Sequence, residues 1–145
     1  MNRLGALLFV LVLPLSASLV GCICNDELVI TEEFENFCED GAPCAWTATG
    51  PVSRASTYHP DVYGVAIPAG STLTGAETFG FRRLGILVQC DEGATVEFNG
   101  RAANAPADSF GWLYSSQAGA VSISVSGSGQ CIVDDVGFID ECEVL

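Results

Sequence analysis

No lysine occurs in the 145 residues, and there are only five arginines, one histidine and one methionine. Against 18 acidic residues this leaves a net charge of −13. A chain so short of positive charge does not hold nucleic acid or an anionic bilayer surface by electrostatics. A single histidine, His59, rules out a multi-histidine metal centre. No serine sits in a Gly-x-Ser-x-Gly nucleophile elbow, so no recognisable catalytic set is present. His59 reads as a loop residue hydrogen-bonded beside Pro60. Carboxylates are numerous enough to supply a glycosidase pair, but abundance alone does not mark one. No stretch sustains a helical period between caps, and there are no internal repeats and no long linker.

The chain begins with Arg3 and an almost wholly apolar run from Leu4 to Val20, broken by Pro14. This is the layout of a secretory signal peptide. The run is marginal for a membrane span of ~20 residues. It ends in Leu19-Val20-Gly21-Cys22, which resembles the lipobox of bacterial lipoproteins. The resemblance implies cleavage before Cys22, lipidation of its thiol and acylation of its new amino group. Ile23, rather than aspartate, follows the cysteine, and in Gram-negative lipoproteins that implies sorting to the outer membrane. The resulting expectation is a signal peptide over 1–21, a lipidated tether over 22–26 and a folded domain over 27–145. With Arg3 removed, the mature charge becomes −14. Which side of the membrane the domain faces stays open.

Six cysteines remain after Cys22: Cys24, Cys38, Cys44, Cys90, Cys131 and Cys142. An even number in an exported domain points to disulfides, and the spacings are not those of zinc pairs. Cys38 and Cys44 bracket a turn-rich loop that a bridge between them would close.

From Glu27 onward, short alternating apolar and polar runs are separated by glycine and proline turns. Strands are predicted around Leu28–Phe34, Ala45–Thr49, Val52–Tyr58, Tyr63–Ile67, Ser71–Thr74, Thr78–Arg82, Gly85–Cys90, Thr95–Phe98, Phe110–Tyr114, Val121–Val125 and from Cys131 onward. Asn99-Gly100 is a hairpin-turn signal, and Arg101 to Ser109 reads as a loop. Many short strands at this spacing indicate an all-β sandwich or barrel. The last run places Ile132, Asp134, Val136 and Phe138 on one face, so that an acid falls in an apolar stripe.

The order of these pieces resembles the antiparallel jelly-roll β-sandwiches of the galactose-binding-like superfamily, which includes many carbohydrate-binding modules and adhesive domains. The pieces are the early Leu-Val-Ile strand ending in Phe34-Glu35, then Trp46, the Tyr58-His59-Pro60 segment, Val121–Val125, and Val133-Asp134-Asp135-Val136. Asp61 stands where that family often has a glycine after His-Pro. The resemblance implies that the first and last strands are antiparallel neighbours. A Cys24–Cys142 bridge would then set Leu28 opposite Phe138, Ile30 opposite Val136 and Glu32 opposite Asp134, leaving Cys90 and Cys131 to pair with each other. It also implies a structural calcium beside these strands, with Glu32, Glu35, Asp134 and Asp135 as ligands, since calcium takes carboxylate oxygens. An arginine partner (Arg54, Arg82, Arg83 or Arg101), or acids capping loop amides, would equally account for the acids. No cofactor is certain.

The ligand-binding candidates are aromatic: Tyr58, Tyr63, Trp112 and Tyr114. Exposed on one concave face they would stack on sugar rings; packed inside they would be ordinary core. Trp46 reads as core. Arg82-Arg83 is the one local basic feature, either paired internally or marking a binding rim. The expectation is a lipid-anchored, non-catalytic binding or structural module of the cell envelope, with carbohydrate binding as the alternative and a hydrolase as a remote one. Its partners are the membrane through the anchor and a glycan or envelope protein.

Overall fold

The structure, a computed structural model, describes residues 28–57 and 62–139, with the side chains of 78–82 and 117 left undescribed. The expected signal segment, Cys22, Cys24, Tyr58, His59 and Cys142 therefore lie outside the described residues. The described chain is all β, with strands β1 (Leu28–Glu32), β2 (Trp46–Thr49), β3 (Ser53–Ser56), β4 (Tyr63–Pro68), β5 (Thr72–Cys90), β6 (Ala94–Phe98), β7 (Arg101–Ala103), β8 (Gly111–Gly127) and β9 (Gln130–Ile139). Every pairing is antiparallel.

Two strands are far longer than their predicted pieces. β5 joins three predicted strands into one of 19 residues, and β8 joins two into one of 17. Each runs through both sheets of a β-sandwich. The first half of β5 pairs with β2 and with the second half of β8, which also carries β6 and its partner β7. The second half of β5 lies between the first half of β8 and β9, and β9 carries β4 and β1 on its other side. The β5–β8 register is irregular between Thr74 and Thr78 and between Phe79 and Arg82, where the pair passes from one sheet to the other. Glycines at 75, 80, 85 and 119 interrupt the alternation in the sequence, so the long strands read as separate short ones.

The core is what the alternation supplies. Leu84, Ile86, Val88 and Cys90 face inward from one sheet, and Leu73, Val121, Ile123, Val125, Val96 and Phe98 from the other. Asn99 and Gly100 both take positive φ, and Phe98 pairs with Arg101 across them, as the Asn-Gly hairpin signal requires. Arg101–Ala103 is a short strand, not the start of a loop. The Cys38–Cys44 and Cys90–Cys131 bridges are both formed. Cys90 and Cys131 stand directly opposite each other on β5 and β9, with Cα atoms 4.0 Å apart.

β1 and β9 are antiparallel neighbours, but the register differs from the expectation. Leu28 faces Ile139, Ile30 faces Gly137 and Glu32 faces Val136, with an irregularity between Ile30 and Glu32. Glu32 therefore does not oppose Asp134. A second irregularity lies in β9, where Leu87 faces Asp135 and Val88 faces Val133, leaving Asp134 as the extra residue of a β-bulge. The bulge reverses the alternation. Cys131 and Val133 point into the core before it and Val136 after it, while Ile132 is only half-buried.

Candidate functional site

The outward face of the β9–β5–β8 sheet carries the concave surface. Between the core residues Leu84, Ile86 and Val88, the alternation turns Gly85, Leu87 and Gln89 outward. Register then sets Tyr114 across from Gly85 and Trp112 across from Leu87. The two rings lie side by side, their centroids 6.1 Å apart and their planes 18° from parallel. Gly85 makes this possible, since a Cβ there would come within 2.9 Å of the Tyr114 ring and 3.2 Å of Trp112. The absent side chain lets both aromatics lie against the sheet and present a flat apolar surface.

A groove of about 710 Å³ opens beside Trp112, over Leu87 and Gln89. Its wall is the segment following β7. That segment folds back because the Gln89 side-chain amide donates to the Ala107 carbonyl at 2.6 Å and the Cys90 amide donates to Pro106 at 3.1 Å. Asp108 and Ser109 from this wall, with Ser56 and Thr57 opposite, give the groove a hydrogen-bonding rim. A second hollow of about 330 Å³ lies on the β7 side, lined by Arg101, Ala102, Trp112 and Tyr114 among others. Trp112 thus stands between two hollows. The Arg83 guanidinium lies 4.6 Å from the centroid of the Tyr114 ring, extending the planar surface by one more group.

Tyr63 does not join this surface. It shares the inward face of β4 with Val65 and Ile67, and the Arg54 guanidinium covers it at 3.3 Å from the ring centroid. Arg54 also lies 6.0 Å from the Phe37 ring. Trp46 is half-buried, 5.3 Å from Phe34, and opposite Gly75 on β5. Beside it is a cavity of about 60 Å³, room for a few waters and too small for a sugar ring.

The acids proposed as calcium ligands are dispersed. One Glu32 oxygen accepts from the Phe34 amide at 2.9 Å and the other from the Trp46 indole N–H at 3.2 Å. These bonds hold buried Phe34 in a left-handed conformation (φ 48°) that a bulky residue rarely adopts. Glu35 is exposed. Asp134 is 1 % exposed, and neither of its carboxylate oxygens has a hydrogen-bond partner. Burial pushes its pKa up to about 6, with Asp135, Glu33 and Glu35 adding repulsion. Asp135 is raised by burial and by Glu33. Among the described residues, no three of the His, Cys, Asp and Glu side chains converge so as to hold a metal ion. The orphaned carboxylate would welcome a cation, but the four acids as they stand do not fit a calcium cage.

Trp112 and Tyr114 were legible as candidates. Gln89, Asp108 and Ser109 were not. Leu87 and Gln89 could have been placed by alternation against Ile86 and Val88. Nothing local marks the segment after β7 as a wall.

No protein-family model matches this chain, and no curated protein matches it. Solved structures resemble it at the level of fold. The K2 cleaved adhesin domain of Lys-gingipain aligns with a TM-score of 0.50 at 12% identity, covering 79% of this chain and 100% of that one. A chain from a study of glycan recognition in the Ruminococcus flavefaciens cellulosome aligns with a TM-score of 0.47 at 14% identity, covering 78% of this chain and 93% of that one. The fold is that of an antiparallel β-sandwich.

Proposed function

We propose that this chain is a non-catalytic glycan-binding module of the cell envelope, held to the membrane by lipid on Cys22. The observation that carries the reading is the Trp112–Tyr114 platform at the edge of a groove with a polar rim. A sugar presents an apolar C–H face and a hydroxyl edge. The flat indole suits the first, and the Gln89, Asp108, Ser109 and Ser56 groups suit the second. The groove is open and, among the described residues, has no converging acid–base pair, which suits holding a chain rather than cleaving it. The lipobox at Leu19–Cys22 supports the anchor, and multiple acyl chains suffice for stable attachment where one does not.

A glycan array with the soluble Cys24–Leu145 segment, followed by calorimetry on each hit, tests the site. Trp112→Ala is expected to lower affinity at least roughly tenfold, the scale on which a lost aromatic anchor acts. The melting temperature should stay within a few degrees. Binding unaffected by Trp112→Ala would place the site elsewhere.

A further inference from the structure

We infer that the β7 side of the platform is a subsite for an acidic sugar, one bearing a carboxylate such as a uronic acid. This rests on the glycan-binding reading and names the class of glycan. The mature chain has four arginines against 18 acids. Of the three whose side chains are described, two border the platform: Arg83 lies over Tyr114 from β5, and Arg101 lines the β7-side hollow with Tyr114 and Trp112. Both are exposed, and neither makes an ion pair among the described residues.

Unpaired arginines in so acidic a molecule are notable because carboxylates abound to neutralise them. Stacking on Tyr114 fixes the plane of the Arg83 guanidinium while leaving its N–H groups at the edge, where a carboxylate accepts two of them. The opposite side of Trp112 has the other polarity. Asp108 lines the large groove, and Asp135 of β9 is paired with Leu87, one of the groove's lining residues. An acidic sugar is therefore turned toward the arginines and away from the groove, which takes a neutral residue of the same chain. The net charge of the protein repels long polyanions, so the ligand is a short or sparsely charged glycan.

The experiment titrates the full chain, extracted in detergent, with oligogalacturonate and with its methyl ester, which keeps the ring and loses the charge. Dextran sulfate against dextran forms the sulfate arm. Oligogalacturonate is expected to bind roughly tenfold tighter than its ester. Arg83→Gln and Arg101→Gln should each remove most of that preference without weakening the ester, while Arg54→Gln, equal in charge but stacked on Tyr63, should leave it intact. Exposed substitutions of this kind leave the fold in place, as the melting temperature would record. Equal affinity for acid and ester, or a preference that survives both substitutions, overturns the acidic subsite while glycan binding stands. A preference for dextran sulfate over oligogalacturonate overturns the carboxylate assignment. Failure of every glycan to bind overturns both readings.

Discussion

At the scale of single residues, two positions show how a sequence anomaly becomes physics. Asp134 is a buried carboxyl held near pH 6 instead of its usual 3.8. Its protonated form is the one the fold favours. The stability it contributes is fully present below about pH 3.8 and is lost as pH rises through about 6. Above that, the ionised form costs on the order of 3 kcal/mol. Asp134→Asn should therefore melt several degrees higher than the parent chain at pH 7.5, with the difference shrinking toward zero near pH 4. Scanning calorimetry at the two pH values checks this. Calcium that raised the melting point of the parent but not of Asp134→Asn at pH 7.5 would show a cation relieving the same charge; equal response of the two would remove calcium from this position.

Gly85 is the second. Adding one methyl beneath Tyr114 and Trp112 forces the rings off the sheet. Gly85→Ala should weaken glycan binding about as much as Trp112→Ala does, with a smaller effect on stability, since the rings lift toward solvent instead of into the core. Calorimetric titration alongside thermal melts separates the two effects. A tight-binding, normally stable Gly85→Ala variant would contradict the platform.

At the scale of elements, the deciding features are the bulge and the bridges. A strict alternation through β9 puts Ile132 and Asp134 on the same side as Val136. The bulge at Asp134 instead gives the core Val133 together with Val136, while Asp135 stays outward beside Leu87. One extra residue thus changes which side chain before it enters the core, Val133 in place of Ile132. The Cys90–Cys131 bridge closes a loop of 41 residues and Cys38–Cys44 one of six. By loop entropy the first contributes about 4 kcal/mol and the second about 2 kcal/mol. Removing Cys90 and Cys131 together by serine substitution should accordingly lower the denaturant midpoint more than removing Cys38 and Cys44. Equal losses would mean that the unfolded chain is already restrained.

At the scale of the whole molecule, the start of β1 and the groove lie toward opposite ends of one sheet. β1 starts at Leu28, so only residues 23–27 separate it from Cys22. Fully extended, that tether spans less than about 20 Å. Leu28 shares a row with Ile139 and Arg83, whereas Gln89 in the groove is six residues further along β5, or about 20 Å. Val29 and Ile30, the exposed large apolar side chains among the described residues, also lie on β1, at the end nearest the proposed anchor in sequence. The groove would thus open away from the bilayer. Cys22→Ser is expected to abolish incorporation of labelled palmitate and to leave the chain uncleaved. Unchanged labelling would refute lipidation at Cys22.

By itself the sequence determined the β-sandwich class, the inward stripes of β5 and β8, the Asn99-Gly100 hairpin and the Cys38–Cys44 loop. Each is local: alternation, turn chemistry and short spacing act within a few residues. The lipobox-like stretch Leu19–Cys22 is likewise contiguous, and the proposal built on it needs no fold. Only the tertiary structure decided the rest. Whether β5 is three strands or one depends on partners on both sides of it. The registers of β9 against β1 and against β5 each depend on a bulge that no local pattern announces. The platform depends on Gly85 meeting Tyr114 from a strand 29 residues away in sequence, and the groove on a loop tied back to Gln89. A platform made by an absent side chain is legible only once the neighbouring strand is in place.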